Sequence, residues 1–272
     1  MIDISKPTQP VVLDSFSQKQ KFSTNYRHIT FKGDTVCLVD QGNGIIYFLD
    51  PDISASLKLI SSISVEKKIS VFPNDLYPSF YHNIGFISRI REGLYLYDIT
   101  HLNSPLLIKR FQFPGVMPLR VMVHGSNLLV FGIRSGLYIF DIRNPQTPVL
   151  LNHLWTEPLD YFGDASLQDS LICTGGAYGK VQLVNIKNPA NPQIIATISL
   201  DDRLQGFCIL GSWLFVAGEK GVGVYSLVNP RSPSLVARAQ TGDSWRIVVK
   251  NHLAYVNGNR SDLLVVDLSP LF

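Results

Sequence analysis

Four side chains stand out for the chemistry they could do together. His28, Tyr77, Arg120 and Arg246 fall in one recurring slot, at the opening of successive apolar strand-like runs. Gly163 and Gly206 fill the other two places. Arginine presents a planar fork of donors that fits a carboxylate or phosphate, and His28 and Tyr77 are acid–base candidates. Such a set suits an anionic or polar ligand. Further cations, Arg89, Arg91, Arg134, Lys180, Lys220 and Arg260, sit in short glycine-marked stretches between strands, against Glu92, Glu219 and Asp262. Two longer connecting stretches hold aromatic residues: Phe72, Tyr77, Phe80 and Tyr81 in one, Asp160, Tyr161 and Phe162 in the other. Long loops with aromatics are contact surfaces in many proteins. The candidate ligand- or partner-binding residues are therefore His28, Tyr77, Arg120, Arg246, Arg91, Arg134, Arg260 and Tyr161.

Catalytic patterns are thin beside these. A hydrolytic metal would need several Asp, Glu or Asn oxygens converging at one place, and the recurring slot offers none. No Gly-x-Ser-x-Gly elbow occurs. The stretch "GGAYGK" at 175–180 lacks the spacing and following helix of a phosphate loop and reads as a hairpin turn. The six histidines fall at differing repeat positions. Cys37, Cys173 and Cys208 each sit inside an apolar run, with no disulfide or zinc spacing, and read as core residues. Asp98, Asp141 and Asp267 recur before Asn, Ser or Pro turns. They could form a ring of cation ligands, but at such positions Asp ordinarily caps its own backbone. No catalytic residue, metal or cofactor is expected, and the balance leans against an enzyme.

The elements that must position these residues are repeats. "EGLYLYDITHLNSP", "SGLYIFDIRNPQTPVLL", "GKVQLVNIKNPANPQII", "GVGVYSLVNPRSPSLVA" and "SDLLVVDLSP" are versions of one phrase. Its Asp98, Asp141, Asn185, Ser226 and Asp267 positions are spaced by 43, 44, 41 and 41 residues. Leu49 holds the slot in a degenerate first copy. Each unit reads as four short strands: glycine permits a tight turn, alternation makes a strand, and Asn and Pro stop it. Four antiparallel strands per period of that length is the pattern of a β-propeller blade. Third strands are expected at 45–48, 94–97, 137–140, 181–184, 222–225 and 263–266, giving six blades. The fold class is thus all-β, a six-bladed β-propeller of four-stranded antiparallel blades, forming one domain over 1–272. The last unit has only three strands, and "PVVLDSFS" reads as an outer strand without the other three. Residues 10–17 are therefore expected to pair with 263–268 and complete the C-terminal blade.

The phrase resembles the LVIVD repeat, through "YDIT" with Asp98 and Pro105, "FDIRNPQTP" with Asp141, Pro145 and Pro148, and "VVDLSP" with Asp267 and Pro270. "VNIKNPANP", "YSLVNPRSP" and "IDISKPTQP" carry the same prolines, although Asn185 and Ser226 replace the Asp. The resemblance implies a bacterial or archaeal β-propeller, often exported or cell-surface associated. It supplies no catalytic residues.

Composition sets the remaining bounds. A net charge of +3 lacks the basic stripe of a nucleic-acid binder. Apolar runs are strand-length, so no membrane span is expected, and no signal peptide is visible at the start. That fits a cytoplasmic chain as it stands, or an exported one if an upstream segment precedes it. The expectation is a monomeric, non-enzymatic scaffold. It would bind a protein or a polymeric, anionic partner through its loop face. The alternatives are a small-ligand or hydrolytic propeller using the channel mouth, and an architectural module of a larger surface protein.

Overall fold

The computed structural model describes residues 2–3, 6, 11–18, 26–51, 57–65, 76–90, 92–113, 116–156, 164–176, 179–258 and 263–271. Among them, strands next to one another in sequence pair into six sheets of three or four strands, besides one two-stranded pair near the N-terminus. The first joins Tyr26–Lys32, Thr35–Asp40, Ile45–Pro51 and Leu57–Ser64. The second joins Leu76–Tyr81, Ile84–Arg89, Gly93–Asp98 and Leu106–Phe111. The third joins Met117–His124, Asn127–Ile133, Gly136–Asp141 and Val149–Leu154. The fourth joins Asp164–Gln168, Leu171–Gly175, Lys180–Asn185 and Gln193–Ser199. The fifth joins Leu204–Leu210, Trp213–Gly218, Gly221–Ser226 and Ser234–Ala239. The sixth has three strands, Ser244–Lys250, Leu253–Gly258 and Leu263–Asp267. All six expected third strands are present, and each sheet is the simple meander of a blade.

The chain divides into two compact units, Met1–Gly132 with Phe140–Leu150, and Ile133–Ile139 with Leu151–Phe272. In the first, Cys37, Ile46, Phe48, Ile87, Tyr95 and Ile99 help fill one core. In the second, Cys173, Leu183, Leu214 and Tyr225 belong to one core, and Phe215, Val224, Ile247 and Val256 to another. First strands of successive sheets are pinned by side-chain bonds. The Ser79 hydroxyl accepts from the Val123 amide at 2.9 Å in the first unit, and the Ser166 hydroxyl accepts from the Ile209 amide at 3.0 Å in the second.

One turn recurs where five of the six third strands end. A side-chain oxygen two residues back accepts the backbone N–H: Asp98 from Thr100 at 2.8 Å, Asp141 from Arg143 at 2.9 Å, Asn185 from Lys187 at 2.8 Å, Ser226 from Val228 at 3.4 Å and Asp267 from Ser269 at 2.8 Å. The recurring Asp is therefore a turn-former, and Asn and Ser substitute for it because they too carry an acceptor. The residue between is apolar and buried, and its N–H donates to a carbonyl in the hairpin between the sheet's first and second strands. The pairs are Ile99 to Asn83, Ile142 to Ser126, Ile186 to Ser170, Leu227 to Ser212 and Leu268 to His252, all within 2.8 Å.

The N-terminal expectation is corrected. Val11–Val12 pair with Ile2–Asp3, not with Leu263–Asp267, and Leu13–Gln18 form no strand. Side chains of this segment are engaged by the first sheet instead. Asp14 accepts from the Leu57 amide at 2.5 Å, and the Phe16 ring meets Tyr47 edge-on at 5.3 Å. A carboxylate satisfied by a backbone N–H and a packed ring fix the segment there, so an apolar pair alone was a poor guide to its partner. Residue 10 of the expected pairing lies outside the described residues.

Two predictions follow from these turns. Gly221 opens a third strand at φ +111°, and a Cβ there would lie 2.2 Å from the Ala239 carbonyl oxygen. Gly211 has φ +57° but open space around it. Gly221→Ala should lose more than about 2 kcal/mol in urea unfolding, because backbone must move, whereas Gly211→Ala should lose about 1 kcal/mol for its dihedral alone. Equal losses would contradict the crowding argument. The second concerns acid. The Thr100 hydroxyl and amide hold the Asp98 carboxyl below its ordinary range, Arg143 does so for Asp141, and the Ser269 hydroxyl and amide for Asp267. A carboxyl lowered on folding stabilises the protein above its unfolded value, near 3.8, and that stabilisation is lost as pH falls through the folded value. Replacing all three by Asn, which forms the same turn at 185, should flatten the loss of melting temperature between about pH 5 and pH 2.5. An unchanged acid slope would contradict it.

Candidate functional site

The first unit brings three of the expected slot residues together. Tyr77 is buried, near the start of the first strand of the second sheet. His28 meets its ring edge-on, centroids 5.2 Å apart, from the first sheet. Arg120, from the third sheet's first strand, places its guanidinium carbon 5.4 Å from the same ring. These are ring-packing and cation–π contacts, with Tyr77 as the hub. Register puts Gln41 at the same end of the first sheet, one residue past Asp40, which pairs with Tyr26. Gln41 is buried, and neither atom of its amide has a hydrogen-bond partner in the protein.

Arg89, expected at an exposed hairpin tip, is instead among the largest fully buried side chains. It pairs with Glu92 at 3.1 Å, and Glu92 also accepts from the Tyr95 hydroxyl at 2.5 Å. Burial, then the bond to Glu92, pushes the Tyr95 phenol up. Charge placed beside a partner in sequence can fold inward when the pair satisfies itself.

In the second unit, Arg246 is occupied. Its Nη1 donates to Asp164 Oδ2 at 2.9 Å and to the Gln205 carbonyl at 2.7 Å. Asp164 is nearly buried, its side chain 5% exposed against 36% for Arg246. Gln205 Nε2 and Trp245 Nε1 both donate to Asp243 Oδ1, at 3.1 and 3.2 Å. The starts of three consecutive first strands are thereby tied into one polar network. Sequence reading missed Asp164, Gln205 and Asp243. Their only signal was position, each standing at or beside the opening of a repeat.

The cations of the hairpin tips are largely answered as well. Lys220 reaches Asp201 at 2.7 Å, and Arg203 reaches Glu219 at 3.5 Å. Arg134 is exposed, with φ +53°. Arg91, Arg260 and Tyr161 lie outside the described residues. The thiols are poor nucleophiles: burial pushes Cys37 up to about 12 and raises Cys173 and Cys208, although Cys208 is only part-buried. Among the described residues no group of three or more His, Cys, Asp or Glu is placed to hold a metal, and no helix is long and apolar enough to cross a membrane.

Comparison with known proteins bears on the fold. A family model described as the LVIVD repeat matches residues 241–271, which span the sixth sheet and its closing turn. No curated protein matches the chain in sequence. Among solved structures, the chain is similar to BamB from Moraxella catarrhalis, with a TM-score of 0.61 and 15% identity over 88% of this chain and 71% of that one. It is also similar to the computationally designed Ika8 protein, with a TM-score of 0.64 and 11% identity over 94% of this chain and 86% of that one. Likeness at such identities speaks for fold alone. The matched repeat, the same turn in the four sheets before it and the shared architecture make the chain a six-bladed β-propeller that carries an LVIVD repeat at 241–271.

Proposed function

We propose that this protein is a non-enzymatic interaction scaffold that binds a protein or a polymeric, anionic partner through the face carrying its second-to-third-strand hairpins. One observation carries the reading: the groups able to do chemistry are spent on structure. Asp98, Asp141 and Asp267 close turns. Arg246 holds Asp164, Arg89 holds Glu92, and the thiols are raised. An active site needs such groups shifted towards reactivity and open to substrate. Here their bonds rigidify sheets whose hairpins then present a fixed surface. The BamB-like neighbours share that kind of architecture.

A second reading rests on Gln41. A buried amide without a partner costs several kcal/mol unless something satisfies it, roughly 2–7 by transfer data. A small ligand with a carboxylate or amide edge would supply both a donor and an acceptor, at the end of the sheets where Arg120 also stands.

Cross-linked affinity capture with mass spectrometry separates these readings. The scaffold reading expects a partner held by the wild type and by Arg120→Ala but released from Arg134→Ala. Identical capture by all three would overturn the face assignment. The ligand reading expects small carboxylates or amides to raise the melting temperature, and Gln41→Leu to abolish that rise. Arg246 is a poor probe of binding, because removing it takes the cation away from a nearly buried carboxylate, Asp164. Arg246→Ala should cost about 2 kcal/mol in denaturant unfolding, and adding Asp164→Asn should recover more than half of it. Additive losses would show that the pair is not coupled.

A further inference from the structure

The third sheet's outer strand, Val149–Leu154, is followed by Trp155. Alternation puts His153 and Trp155 on one face. Tyr138, from the third strand of that sheet, stacks on His153 with centroids 4.0 Å apart and planes 3° from parallel. His153 Nε2 donates to the Ser135 carbonyl at 2.6 Å, since a carbonyl can only accept, and this fixes ring and tautomer. Trp155 stands edge-on to His153 at 6.4 Å and 73°, and is 62% exposed. Two aromatic walls therefore meet at a corner.

The hairpin tip lies against the backbone that carries Trp155. A Cβ on Gly136 would lie 3.1 Å from the Trp155 Cα, so the tip backs directly onto it. Arg134, at this tip, is exposed. Ser135, next to it, is buried.

We propose that this corner docks a protein segment that carries an apolar anchor, a proline or an aromatic side chain, next to a carboxylate. This rests on the scaffold reading and names its contact patch. The anchor fills the angle between Trp155 and the Tyr138–His153 stack. The carboxylate takes the Arg134 fork. A flat sugar face would call for an open platform, whereas walls 73° apart grip a compact side chain. Trp, Tyr and Arg dominate interface energetics, and rings already held in place lose little entropy on binding.

The test selects a random-peptide phage library on the immobilised full chain and measures the enriched peptides by fluorescence polarisation. Enriched peptides are expected to place Asp or Glu close to Pro or an aromatic residue. Trp155→Ala and Arg134→Gln should each weaken them about tenfold, as should Asn for Asp in the peptide. Lys187→Gln, on an exposed turn elsewhere, should leave them unchanged. Arg134 is exposed, so its substitution tests the site even if Trp155→Ala proves unstable. No enrichment, or peptides indifferent to Arg134→Gln, would overturn the patch. The scaffold reading would survive that outcome if capture still depended on another part of the face.

Discussion

Five of the six repeats hang on one backbone bond, from the amide of an Ile or Leu just past the third strand to a carbonyl in the hairpin between the first and second strands. Ile99, Ile142, Ile186, Leu227 and Leu268 all make it. Burying that side chain is worth roughly 2 kcal/mol, against about 1 kcal/mol for the bond itself. The bond's larger role is geometric. It sets where the third strand stops, so the Asp, Asn or Ser turn can reverse the chain and lead it to the outer strand. The first sheet lacks the device: Leu49 stands in the slot, and the strand runs on to Pro51.

This constraint explains where the polar chemistry goes. With strand ends fixed, the openings of the first strands come into register, and charged groups there meet one another across sheets. Arg246 finds Asp164 and Gln205 in the second unit; Arg120 finds the face of Tyr77 in the first. Side chains that could have served catalysis become ties between sheets. Arg134, at a tip beyond them, is left facing solvent.

Local features were legible in the sequence. The third strands and their stops follow from Gly, alternation and Asn-Pro punctuation, each acting within a few residues. The turn role of Asp98 was readable because Asp, Asn and Ser share an acceptor at the same reach. Distant pairings were not. Nothing near Arg246 names Asp164, which lies 82 residues away. The inward fold of Arg89 depends on Tyr95 as well as on Glu92. Val11–Val12 looked like an outer strand, but what holds that segment is the Asp14 bond and the Phe16 ring, neither of which belongs to the repeat. His153 and Trp155 could have been paired by alternation, yet their stack needs Tyr138 from the neighbouring strand.

Native-state hydrogen exchange of the five amides reads the central constraint directly. Ile99, Ile142, Ile186 and Leu227 should exchange with the slowest, globally protected amides, although all four lie outside the regular strands. Leu268 should exchange sooner, because its sheet has three strands among the described residues. If all five exchanged as fast as the exposed turn amides of Thr100 or Lys187, the blades would be held by something other than this bond.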